Sequence, residues 1–145
     1  MGAYATGGNF EITLTRGIAI CKVWMRPDVT REEGANFARQ KVNILGDLSR
    51  RSRIMAKGLL LDLRRAPTKW GPRTQEALEE IFTAWELAGR HVSVLTCDDP
   101  IQAMMARESI KRSAPTCGRV FTASNEAEAE AESWCRLNQS LITGK

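Results

Sequence analysis

The six residues Gly58-Leu59-Leu60-Leu61-Asp62-Leu63 constrain this chain more than any other stretch. The short unbroken apolar run Leu59 to Leu61, opened by a glycine, interrupted by Asp62 and continued by Leu63, fits a strand covered on both faces, and such strands belong to parallel sheets. Arg64 to Trp70 then read as a polar loop. Gly71 is placed to cap a helix and Pro72 to begin it, since the first helical position needs no N–H. In that helix Leu78, Ile81, Phe82 and Trp85 recur at helical spacing and form one apolar stripe, and Gly89 ends it. A buried strand, a charged loop and a core-facing helix make half of a βαβ unit.

The rest of the chain extends this pattern. Phe10 to Leu14 and Ile18 to Met25 alternate as strands, and the short Arg16-Gly17 connection favours an antiparallel hairpin. Thr30 and Glu33 have capping-box spacing for a helix from about Arg31 to Ser52, with Ala38, Val42, Leu45 and Leu48 on its buried face. His91 to Thr96 is a β-branched strand. Asp99 and Pro100 open a third helix, with Ile101, Met104, Met105 and Ile110 expected inward. Gly118 to Phe121 is a fifth strand, and Ser124 is expected to cap a fourth helix containing Ala127, Ala131 and Trp134. The expected fold is therefore one α/β domain, residues 10–137, with a mixed sheet of about five strands, four helices and the N-terminal hairpin at the sheet edge. Residues 1–9 and 138–145 read as a flexible lead-in and tail.

With 145 residues the chain can bury one core without staples. No apolar run approaches the ~20 residues of a membrane span, and no secretory signal is apparent. The four cysteines form no C-x-x-C pair, and the single histidine, His91, is not at metal-ligand spacing from them. The expectation is reduced thiols in a cytoplasm, with no metal and no cofactor. One histidine, no glycine-rich phosphate loop and no Ser/His/Asp set argue against an enzyme. The net charge of +4 permits acidic or nucleic-acid partners.

In element order, and in GLLLDL, HVSVLTCDDP and GRVFTASNEAEAEAESW, the chain resembles the STAS (anti-sigma-factor antagonist) superfamily from about Phe10 to Leu137. That resemblance implies a small bacterial regulator that binds a protein partner. In many such proteins a serine at the start of the helix after the central strand is phosphorylated. Here Lys69-Trp70-Gly71-Pro72 occupies that place, and Gly71 has no hydroxyl. Thr68 and Thr74 are the nearby alternatives, with cap or turn roles as their competing reading. LLLDLRRAP also resembles the acceptor strand of receiver domains, which would make Asp62 the phospho-acceptor. A receiver would need an acidic pair after an early strand; Met25-Arg26-Pro27-Asp28 supplies one carboxylate. Asp62 otherwise reads as a structural carboxylate bonded to loop amides or to Arg64 or Arg65.

The loop carries the best candidate surface. Arg64, Arg65, Lys69 and Arg73 surround Trp70, joined by Thr68, Gly71 and Thr74. Arg and Trp dominate interface hot spots, which suits a regulatory protein partner. The same residues could grip phosphate and stack a base, or the loop could be solvated with Trp70 folded onto the core. A small ligand and a homo-oligomer stay open.

Overall fold

A computed structural model describes residues 3–137. Its order is β1 (Ala5–Gly7), β2 (Phe10–Thr15), β3 (Ile18–Trp24), α1 (Arg31–Ser49), β4 (Gly58–Arg65), α2 (Pro72–Leu87), β5 (His91–Thr96), α3 (Pro100–Ser113), β6 (Gly118–Thr122) and α4 (Ala127–Cys135). The strands lie in chain order in one mixed sheet. β1 to β3 are antiparallel, and β3 to β6 are parallel. When each parallel strand lies beside the one before it, crossovers of one hand put every crossover helix on the same face. Accordingly α1 packs on α2 and α2 on α3, whereas α4, which follows the last strand, packs on β4, β5 and β6.

Two apolar clusters result. On the three-helix face Phe10, Ile12, Cys21, Val23, Leu59, Leu61, Val92 and Val94 meet Leu45, Leu48, Leu78, Ile81, Phe82 and Trp85. On the other face Ile18, Leu60 and Leu95 meet Ala127, Ala131 and Cys135. The continuous leucine run of β4 thus serves both clusters, as expected of a doubly covered strand. Ile20 and Trp24 are only half-buried, because α4 does not extend over their part of β3.

Local chemistry fixes the ends. Thr30 and Glu33 form the expected capping box, at 3.1 and 2.8 Å. The β2–β3 turn uses Arg16 at φ 51° and Gly17 at φ 82°, the two positive values that a two-residue hairpin turn requires. α2 ends at Gly89, φ 68°, with the Gly89 amide donating to the Glu86 carbonyl and the Arg90 amide to the Trp85 carbonyl. The Trp85 indole donates to the Leu45 carbonyl at 3.0 Å and ties α2 to α1.

Four expectations need correction. The lead-in, residues 1–9, contains β1, whose backbone pairs with β2, so the sheet has six strands. α1 stops at Ser49 rather than Ser52, and Arg90 takes over its end: the buried guanidinium donates to the carbonyls of Leu48, Ala56 and Arg51. On α3, Ile101 and Met104 point outward at 48% and 51% exposure, and the buried face is Gln102, Ala103, Ala106, Ser109 and Ile110. α4 is capped by the Glu126 backbone without a side-chain bond, not by Ser124. The tail beginning at Asn138 lies outside the described residues. Among the described residues no helix is long and apolar enough to cross a membrane.

Candidate functional site

The loop from Ala66 to Gly71 leaves the carboxyl end of β4, where open parallel sheets present their ligand sites. Gln102 holds it in place. The Gln102 carboxamide nitrogen donates to the carbonyls of Leu63 at 2.8 Å and Pro67 at 3.2 Å, and its oxygen accepts from the Cys97 amide at 2.8 Å. A fully buried amide therefore staples the β4–α2 loop to the β5–α3 loop. It occupies the inward position expected for Ile101, because loop carbonyls buried at the strand ends require a donor.

The structure divides the sequence-predicted residues between two surfaces. Arg64 and Arg65 turn to the half-covered sheet face and line a charged hollow with Glu11, Lys22 and Asp62. There Asp62 accepts from the Arg64 amide at 3.1 Å and its guanidinium at 3.0 and 2.8 Å. Burial alone would raise the Asp62 pKa, but the Arg64 guanidinium and amide more than offset it and hold the carboxyl below its usual range. Arg64 also reaches Glu128 at 3.3 Å. The bond to Arg64 is one of those that the structural reading of Asp62 expected, and it is charge-assisted.

Lys69, Trp70, Gly71 and Thr74 line a second hollow, an apolar cleft of about 260 Å³ between the starts of α1 and α2. Met25, Phe37, Leu63 and Leu78 supply its apolar walls. Trp70 is half-buried against the main core, neither free in solvent nor fully internal. Its indole N–H is buried without an acceptor among the described residues. Thr68 and Arg73 are exposed, and Gly71 caps α2 with no side-chain bond.

Lys41 also lines this cleft, and the sequence reading passed it over. It is 5% exposed, its ammonium donating to Asn9 Oδ1 at 2.8 Å and lying 4.9 Å from the centre of the Phe10 ring. Burial lowers its pKa to about 8, against a smaller opposing effect from Cys21. No carboxylate pairs with it among the described residues. The signal in the sequence was position: Lys41 falls between Ala38 and Leu45, on the stripe that α1 turns to the core.

Arg65, Lys69 and Arg73 likewise form no ion pair among the described residues, whereas Arg26, Arg39, Arg51, Arg112 and Arg136 each have at least one. No Asp or Glu occurs between Asp62 and Glu76 to answer them. At the same end of the sheet stand three exposed apolar side chains, Met25 at 53%, Ile101 at 48% and Met104 at 51%. Among the described residues no three His, Cys, Asp or Glu side chains are grouped to hold a metal. No disulfide joins the four cysteines, and burial pushes Cys21 and Cys117 up to about 12.

No family model matches this chain, and no curated protein or solved structure matches it either.

Proposed function

We propose that this protein is a non-catalytic regulatory module of the STAS type that binds an acidic protein segment through the β4–α2 loop and the cleft beside it. One observation carries the reading: Lys69, exposed and without an ion pair among the described residues, lines a cleft that also holds the uncompensated Lys41, with exposed Arg73 in the first turn of α2 just past the cleft's Gly71 and Arg65 on the adjoining sheet face. Exposed Met25, Ile101 and Met104 add apolar contact area at the same end. A partner that supplies carboxylates around a large apolar anchor would satisfy both sets at once. Gly71 at the helix start removes the serine switch that the resemblance implies, leaving Thr68 and Thr74 as the hydroxyls available for modification.

The test is affinity capture from the native host with the intact chain and with the triple variant Arg65→Glu, Lys69→Glu, Arg73→Glu. A single protein recovered stoichiometrically by the wild type and lost with the variant supports the reading. Recovery of nucleic acid, or identical recovery by both proteins, overturns it. Intact-mass analysis of the host protein addresses the switch: stoichiometric phosphate on Thr68 or Thr74 would restore one.

A further inference from the structure

The opposite end of the sheet, where the parallel strands begin, carries a second surface. Arg16, Arg53, Lys57 and Arg136 surround a hollow of about 330 Å³ whose remaining lining is Gly17 and Ile54. No carboxylate lines it. The arrangement is held by backbone and side-chain bonds: the Lys57 amide donates to the Gly17 carbonyl at 2.7 Å, Arg136 Nε to the Arg16 carbonyl at 3.3 Å, and Arg53 Nη2 to the Ala88 carbonyl at 3.0 Å. Arg50 and Arg51 precede Arg53 on the α1–β4 connection, Arg50 lining a separate hollow with Asp47 and Glu80. Asp47 answers Arg51 and Glu132 answers Arg136. Arg16, Arg50, Arg53 and Lys57 make no ion pair among the described residues.

Ile54, in the middle of these cations, is 89% exposed, and Leu87, next to the Ala88 that receives Arg53, is 83% exposed. A single exposed aliphatic side chain is ordinary. One surrounded by cations matches the boundary of an anionic bilayer, where ammonium and guanidinium groups meet headgroup phosphates and the aliphatic tip enters the acyl region. A nucleic acid would use the cations but gains little from an isoleucine, since single strands are gripped by aromatic stacking. We propose that this end of the protein docks peripherally on an anionic phospholipid surface, with Ile54 as its apolar anchor. The partner-binding loop lies at the other end of the strands and would face away from the membrane.

Co-sedimentation of the full chain with large vesicles tests this, comparing pure phosphatidylcholine with phosphatidylcholine containing phosphatidylglycerol. The protein should bind the anionic vesicles at low salt, release at high salt, and ignore the neutral ones. Removing a cation should weaken partitioning about fivefold, so Arg53→Ala with Lys57→Ala together should cost about 25-fold. Ile54→Ser should cost about tenfold while leaving the thermal midpoint unchanged. The triple loop variant at Arg65, Lys69 and Arg73 should bind vesicles as the wild type does, which separates this surface from the partner site. Three results would overturn the proposal: no sedimentation with anionic vesicles at low salt, equal sedimentation with neutral ones, or loss of binding in the loop variant. Undiminished binding by Ile54→Ser, or stronger binding to duplex DNA than to the vesicles, would also overturn it by reducing the patch to a general polyanion surface.

Discussion

Replacing Lys41 with methionine should stabilise this protein while weakening its partner binding. The ammonium is buried, and its pKa falls from 10.5 to about 8, chiefly through burial. At ~1.4 kcal/mol per pKa unit, holding the charged form at neutral pH costs ~3 kcal/mol. The bond to Asn9 and the contact with the Phe10 ring return ~2 kcal/mol of that. Lys41→Met keeps the side-chain length, removes the charge and leaves the half-buried Asn9 able to bond water, for a net gain of ~1 kcal/mol, or ~2–4 °C in Tm. The sign with pH is independent of that balance. Between about 8 and 10.5 the unfolded chain holds the lysine proton and the folded chain does not, so this group's contribution to wild-type stability rises with pH. From 9 upward the thiols of Cys21, Cys117 and Cys135, raised by burial to about 12, 12 and 11, work in the opposite direction. Ionisation of the unfolded thiols begins about one pH unit below that, so in the wild type the two effects nearly cancel from pH 8 to 9 and stability falls beyond, whereas Lys41→Met should lose stability from about pH 8 onward. Urea unfolding at a series of pH values reads both effects. A variant that is less stable at pH 7, or whose stability follows the wild type's pH dependence from 8 to 9, would refute the argument that Lys41 is an uncompensated charge.

Other changes test separate parts of the structure. Asp62→Asn should cost stability at neutral pH. The wild-type contribution is present above the unfolded carboxyl pKa and is lost as pH falls below about 3.8, so the acid limb of a pH–stability curve should shrink in the variant. Arg90→Met strips the donors from the carbonyls of Leu48, Arg51 and Ala56 and should destabilise by ~3 kcal/mol or more, with hydrogen exchange rising first at the end of α1. Trp70→Phe keeps most of the apolar contact and removes a buried N–H without an acceptor, so thermal melting should show a change within ~1 kcal/mol of zero. Trp70→Ala should destabilise clearly, by ~1–3 kcal/mol, since the ring is half-packed against the core.

The sequence was most legible where the signal is local. The leucines of β4, the stripe of α2, the box at Thr30 and Glu33, and Asp99 before Pro100 each define an element through neighbours a few residues away. The cationic loop was readable for the same reason, as four basic residues with no acid among them. What was hidden depended on partners distant in the chain. Ala5 to Gly7 has no apolar pattern and is a strand only because β2 offers its backbone. Ile101 and Met104 look like core residues by composition, yet the loop carbonyls beneath α3 need an amide, and Gln102 takes that side. Arg64 and Arg65 share one sheet face, apart from Lys69 and Trp70, because the register of β4 on β3 shifts between the Lys22–Asp62 and Trp24–Arg65 pairs, an irregularity that breaks the usual alternation. Lys41 was concealed because a lysine on an apolar stripe is usually assigned to the solvent side.

Selection of a random displayed peptide library on the immobilised wild-type protein tests the central claim most directly. The account predicts enrichment of sequences with several carboxylates flanking a large apolar residue, and binding of a selected peptide should fall at least ~30-fold when Arg65, Lys69 and Arg73 are all changed to glutamate. Its chemical-shift perturbations should centre on Ala66 to Thr74, Met25 and Lys41. Enrichment of no acidic consensus, or a selected peptide that binds the triple variant as tightly as the wild type, would contradict the assignment of this loop and cleft as the working surface.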